Sequence, residues 1–310
     1  MKYMTVKEAS RKWEISERRV RTLCNEGRIE GAFRMGWIWS IPETLDKPID
    51  ARTTRHKLNR ELEVRFKTIS FEVIDRKKNQ LDQHRPLPKH TLKSLRENML
   101  VEWTYNSNAI EGNMLTLSET KVVLEGVTIG GKSIREHLEV INHKDAILLL
   151  EEMVHSNEPL SERNIKDLHR LVLKKIDDEN AGAYRHENVI ISGAKHRPPE
   201  HFLIKEHMER MVAEYNEQWP KLHPIEGAAL LHGEFVKIHP FGDGNGRTAR
   251  LLLNFELMKC GFPPAIIEAE MRPEYYDALD LAHITGDYGK FVELVAKCVE
   301  TSLDLWLSLF

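Results

Sequence analysis

Cysteine is scarce: Cys24, Cys260 and Cys298 are the only three in 310 residues, and each stands alone inside an apolar helical pattern. That isolation argues against a disulfide framework or a cysteine-bound metal cluster and predicts buried free thiols. No apolar run approaches the ~20 residues of a membrane span, and the stretch from Met1 to Glu8 lacks the apolar core of a signal peptide. The expected compartment is therefore the cytoplasm, with no membrane partner. The net charge is only -3, which argues against a protein that coats nucleic acid along its whole surface. With 41% hydrophobic and 30% charged residues, the composition is that of a soluble globular protein. Two phosphate or cation loops are also missing. There is no Gly-x-x-x-x-Gly-Lys-Ser/Thr run, and an EF-hand fails because Arg247 and Asn254 stand where oxygen ligand and Glu are needed.

What is present is concentrated between His239 and Arg250, which reads His-Pro-Phe-Gly-Asp-Gly-Asn-Gly-Arg-Thr-Ala-Arg. Gly242, Gly244 and Gly246 allow positive φ and close approach, so consecutive N–H groups can converge on an anion. A helix expected from Arg247 to Cys260, closed by Gly261 and Pro263, would set its N-terminal N–H groups on that loop. Arg247 and Arg250, three apart, share a helix face. His239 is suited to act as a general base near neutral pH, and Asp243 is a hard oxygen ligand suited to Mg²⁺ between phosphates.

These residues fill every specified position of the motif His-Pro-Phe-x-Asp/Glu-Gly-Asn-Gly-Arg-x-x-Arg, and the stretch resembles the Fic domain. Most proteins of that family transfer AMP from ATP to a protein hydroxyl. The resemblance implies that His239 deprotonates the target hydroxyl and Asp243 holds Mg²⁺. It further implies that Gly244, Asn245 and Gly246 bind the α- and β-phosphates and that Arg247 and Arg250 grip the phosphate chain. Ser107-Asn-Ala-Ile-Glu111-Gly112 resembles the family's inhibitory motif. Glu111 would pair with Arg247 or Arg250 and take the place of the γ-phosphate; in some relatives the same Glu serves AMP removal, and sequence leaves both uses open. Short β-branched runs at Val189, Ile190 and Ile191 around Ser192 and Gly193 resemble the family's flap, a β-hairpin that would pair with an extended piece of target. Tyr276 would line the adenine pocket, and His283 stands where several relatives carry Asn.

The N-terminal end has a separate character. Thr5 and Glu8 form a capping box, Ser16 can cap a second helix from Glu17 to about Asn25, and alternating runs about Gly36 read as a hairpin. Residues 1–45 hold nine Lys/Arg against six Asp/Glu, leaving about -6 on the rest. The pattern resembles a winged helix-turn-helix, and that resemblance implies Arg18, Arg19 and Arg21 in a major groove with Arg34 at phosphate or minor groove.

The expected organisation is mainly α: a winged helix-turn-helix over 1–45, a helical linker over 46–88 that docks on the second domain, and a Fic-type helical core with a flap over 89–310. Apolar stripes are expected at Leu138, Ile141, Ala146 and Leu149, and at Ile165, Leu168, Leu171 and Val172. The terminal helix from Phe291 to Phe310 is a candidate homodimer interface. The expected activity is self-restrained AMP transfer from ATP, with Mg²⁺, to a Ser, Thr or Tyr hydroxyl of a protein, the chain's own included. One rival is a DNA-binding regulator whose Fic domain only senses nucleotide, against which the intact His239 speaks. The other is a different donor, UTP or a phosphocholine carrier, against which the Asp-Gly-Asn-Gly-Arg run speaks.

Overall fold

The computed structural model describes residues 3–310 except 14, 26–28, 30, 36, 37, 46–68 and 158, and not the side chains of 35 and 38. Glu14 of the expected helix-turn-helix turn, Gly36 of the expected hairpin and residues 46–68 of the expected linker lie outside the described residues. The chain divides into two compact units, Met1–Val64 and Arg65–Phe310.

The first unit runs β1 (Tyr3–Met4), α1 (Val6–Lys12), α2 (Glu17–Asn25), β2 (Phe33–Met35) and β3 (Ile38–Pro42). The Thr5 hydroxyl accepts from the Glu8 N–H while the Glu8 carboxylate accepts from the Thr5 N–H, which satisfies two amides at the start of α1. Ser16 Oγ accepts the Arg19 N–H at 3.2 Å and caps α2. Val20, Leu23 and Cys24 at helical spacing turn one face of α2 inward, onto Met4, Val6, Ala9, Trp13, Ile29 and Ile41. β3 pairs antiparallel with both neighbours in the order β1-β3-β2. The two-residue β1 is too short to show alternation in sequence. Arg18, Arg21 and Arg34 are exposed and Arg19 is half-buried; Arg21 also pairs with Glu17 at 2.9 Å.

In the second unit the described helices are α3 (Glu72–Gln83), α4 (Lys89–Ile110), α5 (Leu117–Leu124), α6 (Ile134–Ser156), α7 (Glu162–Leu173), α8 (Ile204–Glu217), α9 (Pro224–Ile238), α10 (Asn245–Lys259), α11 (Arg272–Thr285) and α12 (Gly289–Leu307). Capping boxes open α5, α6 and α7 at Thr116, Ser133 and Ser161. α10 is the axis of the unit, with α9, α6, α7 and α4 packed around it. Its sequence explains the position. Leu251, Leu252 and Leu253 are consecutive and fully buried, and three adjacent leucines spread over the helix circumference are stable only when the helix is enclosed. Each such leucine contributes roughly 1.5–3 kcal/mol. Where α9 meets the turn before α12, a Cβ at position 233 would collide with the Tyr288 ring, so Gly233 permits that approach.

One expectation changes. On α6 the buried face is Val140, Asn142, His143, Ala146, Ile147, Leu150 and Met153, whereas Ile141 is 41% exposed. The apolar stripe is displaced because polar Asn142 and His143 occupy inward positions. α12 is covered by α3 of the same chain, and Lys77 of α3 reaches Glu300 and Asp304 at 2.7 Å each. Leu305, Leu309 and Phe310 at the end of this segment stay exposed. Among the described residues no helix is long and apolar enough to cross a membrane.

Candidate active site

The site is built where α9 ends and α10 begins. His239 closes α9 in the left-handed region, φ 50 and ψ 59, with its N–H bonded to Phe235 O. Such a backbone costs of order 1–3 kcal/mol in a residue with a side chain. It is held there by Arg185, whose Nε donates to His239 O at 2.9 Å. Burial first, and then the Arg185 charge, push the His239 pKa down to about 4. In place of the expected titration near neutral pH, the ring is neutral at pH 7. Its Nδ1 is enclosed with no hydrogen-bond partner among the described residues.

The loop after His239 is fixed from inside. Phe241 stacks on His169 with centroids 3.6 Å apart and planes 4° from parallel. His169 Nδ1 accepts the Gly182 N–H at 2.9 Å, so Nε2 carries the proton it donates to Asp243 O at 2.8 Å. The Asn245 side chain bonds both ways with Phe241, N–H to Oδ1 at 3.0 Å and Nδ2 to O at 2.8 Å. This amide therefore staples the loop, and its side chain is committed to Phe241. Only Gly244 of the three loop glycines has positive φ, 76°, as the N-cap of α10. Gly246 has a different purpose: a Cβ there would strike Glu111 Oε1.

Charged side chains crowd the N-terminus of α10. Arg247 is 2% exposed, with Nη2 at 3.4 Å from Asp243 Oδ1 and Nη1 at 3.5 Å from Glu139 Oε1. Its Nε and Nη1 have no hydrogen-bond partner among the described residues. Two unmet donors on a buried cation cost about 1–3 kcal/mol each, which an oxyanion would repay. Arg250 is saturated instead. Its Nε donates to Ser107 Oγ at 3.0 Å, and Nη2 to Ser107 O at 2.8 Å and to Glu111 Oε1 at 2.7 Å. Nη1 reaches Tyr275 OH at 3.4 Å. Burial would lower the Arg250 pKa, but Glu111 and Tyr275 outweigh it and keep the cation charged. α4 continues past Asn106 to Ile110, so Ser107 lies in its last turn, Glu111 is the C-cap and Gly112 takes φ 96.

Asp243 is half-exposed. Its Oδ1 accepts the Gly244 N–H at 2.6 Å, and its Oδ2 accepts from Arg135 Nη2 at 2.6 Å. Burial opposes ionisation, yet Arg247, the Gly244 N–H and Arg135 together hold its pKa below the usual carboxylate value. One carboxylate beside a triphosphate suits magnesium, which keeps several waters and takes one or two protein oxygens. Among the described residues no group of three His, Cys, Asp or Glu could hold a metal by itself.

The flap segment departs from expectation in form. Residues 186–200 contain no strand. The tip turns at Ser192 and Gly193, with Gly193 at φ 82 and the Ala194 N–H on Ile191 O. The two arms are tied instead by the His201 N–H on Asn188 Oδ1 at 2.8 Å and by Arg185 Nη2 on Pro199 O at 2.6 Å. Among the described residues the backbone of Val189 and Ile190 has no hydrogen-bond partner, and Ile190 is 78% exposed. Tyr276 is 39% exposed under the Arg272 guanidinium, 5.0 Å from its ring centre. His283 is spent on Gly233 O at 3.0 Å, and His232 lies buried on Tyr275 OH at 2.9 Å.

Arg135, Glu139, His169, Arg185 and Tyr275 carry no sequence signal as site residues. They come from four other segments, and only folding brings them to the loop.

Residues 159–257 match the Fic/DOC family. The chain is 37% identical over 271 residues to "Protein adenylyltransferase Fic" of Nematostella vectensis, covering 84% of this chain and 61% of that one. It is 42% identical over 205 residues to the protein of the same name from Drosophila grimshawi, covering 66% and 42%. The chain thus spans about half the length of the curated relatives it matches. Among solved structures it resembles Fic-1 (residues 134–508 of that protein) from C. elegans, with TM-score 0.71, 33% identity and coverage of 84% and 75%. A Fic domain containing signaling protein from Bacteroides thetaiotaomicron matches with TM-score 0.71, 31% identity and coverage of 76% and 96%.

Proposed function

Since the chain belongs to the Fic family, we propose that it is a self-restrained, Mg²⁺-dependent protein adenylyltransferase that moves AMP from ATP to a Ser, Thr or Tyr hydroxyl of a protein. The observation that carries this is Arg247, a buried guanidinium in the N-terminal turn of α10 whose Nε has no hydrogen-bond partner among the described residues, in the same loop that begins with His239 at the end of α9.

The steps follow from that geometry. The backbone N–H groups of Asn245 and Gly246 and the guanidinium of Arg247 take the phosphates; the Gly244 N–H, already held by Asp243 Oδ1 at 2.6 Å, joins them only when that bond opens. Tyr276 offers a ring to the adenine. Asp243 would hold magnesium through Oδ2, and the ion supplies positive charge to the phosphates. The backbone of Val189 and Ile190 pairs with an extended target segment and sets its hydroxyl near His239. His239 Nε2 takes the hydroxyl proton as the oxygen attacks the α-phosphorus. The bond from that phosphorus to the bridging oxygen breaks, and pyrophosphate leaves.

Glu111 restrains this reaction by holding Arg250, which removes the second arginine from the triphosphate; removal of AMP by the same Glu is a second use of this contact. A charge-assisted bond of this kind is worth roughly 1.5–3 kcal/mol. The first unit adds DNA as a second partner through Arg18, Arg19, Arg21 and Arg34. The activity named for the similar proteins supports AMP transfer, and the geometry of the loop supports the roles.

The test uses ATP labelled at either end. Label from the α-phosphate should appear on protein and label from the γ-phosphate should not. Transfer of γ-label would mean phosphoryl transfer and end the proposal.

A further inference from the structure

We propose that Arg135 is a built-in cation that keeps the metal position of Asp243 closed until nucleotide and divalent ion arrive together. The inference rests on the adenylyltransferase reading and concerns a residue outside the loop motif.

The carboxylate of Asp243 has one oxygen committed to the loop, since Oδ1 accepts the Gly244 N–H at 2.6 Å and faces Arg247 at 3.4 Å. Oδ2 alone is left to face an ion, and Arg135 Nη2 sits on it at 2.6 Å. A divalent ion at about 2.1 Å from the same oxygen would meet a positive charge across a few ångströms, so the two compete for it. Arg135 is also an unexpected residue for its place. It lies in the first turn of α6, where the helix end is itself positive and disfavours cations. Glu139 Oε1, at 3.1 Å from Arg135 Nε, and Asp243 offset that cost.

The side chain can leave without damage to the fold. It is 58% exposed, and Glu139 remains as a second partner when Asp243 is released. Glu139 in turn stands 3.5 Å from Arg247 Nη1 and accepts from Asn113 Nδ2 at 2.9 Å, two residues after Glu111. Arg135 therefore bridges the metal ligand to the carboxylate that neighbours both the phosphate-binding arginine and the end of the restraining helix. A metal ion alone competes with it poorly. Metal with a triphosphate brings the negative charge that lets Arg135 turn outward.

The test is calorimetric binding of a non-hydrolysable ATP analogue to the full chain over a Mn²⁺ series. In Arg135→Gln, which keeps length but loses charge, the Mn²⁺ midpoint for analogue binding should fall about tenfold, while Arg135→Lys should stay near the starting protein. An unchanged or higher midpoint in Arg135→Gln would overturn the inference. Analogue binding that ignores Mn²⁺ in the unsubstituted chain would overturn the metal role of Asp243 as well, and absence of analogue binding altogether would strike the adenylyltransferase reading itself.

Discussion

Glu111 and Gly246 fit together because position 246 has no side chain: a Cβ there would occupy the space of Glu111 Oε1, the oxygen that holds Arg250 at 2.7 Å. In the proposed reaction, the glycine that would let a phosphate approach the start of α10 is thus also the one that lets the carboxylate stand there, so restraint and catalysis would share one surface.

Glu111→Gly should therefore raise AMP incorporation at least about tenfold, in line with the loss of one charge-assisted contact. Ser107→Ala should raise it less, because Ser107 O keeps its bond to Arg250 Nη2 and only the Oγ contact to Nε is lost. Labelling with α-labelled ATP checks the order. A larger rise in Ser107→Ala than in Glu111→Gly would relocate the restraint.

Arg247→Met should separate binding from stability. Nucleotide affinity should drop about 10- to 100-fold, since charge-assisted bonds are lost. Thermal stability without nucleotide should hold or rise, because the buried donors Nε and Nη1 have no partner among the described residues. Arg135 and Asn113 remain on Glu139, so that carboxylate is not left bare. A melting temperature lowered by more than about 5 °C would show that Arg247 is structural cement.

Several histidines are held neutral by burial. The pKa of His143 is lowered to about 3, those of His169, His239 and His283 to about 4, and His232 lies well below its ordinary value. Their folded pKa values lie below the unfolded value near 6.5, so between about pH 4 and 6.5 the unfolded chain binds more protons. The stability they contribute is present above pH 6.5 and is lost as pH falls through that window. Unfolding at pH 5.5, followed by calorimetry in buffers of different ionisation heat, should take up protons. Release, or no exchange, would contradict the burial of these rings. Labelling activity should likewise stay level on the basic side of pH 6 as far as His239 is concerned.

The first unit should bind DNA in a salt-dependent manner through Arg18, Arg19, Arg21 and Arg34. Replacing Arg18 and Arg34 by Ala should weaken binding and reduce the slope of affinity against salt by roughly one to two charges. An affinity to the chain's own promoter region that ignores salt would rule the role out.

The sequence is most readable where chemistry and local structure coincide. Thr5, Ser16 and Thr116 announce helix starts because caps act within four residues, and the order from His239 to Arg250 carries the site because its groups are neighbours along the chain. It is least readable where distant segments meet. Asn142 and His143 break the stripe of α6 since they face inward toward other polar groups, which periodicity reads as noise. Arg185 joins His239 to both flap arms across 54 residues, and no local pattern marks such a bond. The glycine pattern of the loop suggests positive φ at Gly246, whereas it is a helical residue kept small by a carboxylate from the end of α4.

The measurement that reaches furthest is AMP incorporation in Glu111→Gly beside Glu111→Gly with His239→Ala, each paired with a binding assay for ATP. The first should be labelled and the second should not, while both bind the nucleotide. Equal labelling in the two would take the proton-accepting role away from His239, and no labelling in either, with ATP bound, would leave a nucleotide sensor in place of an enzyme.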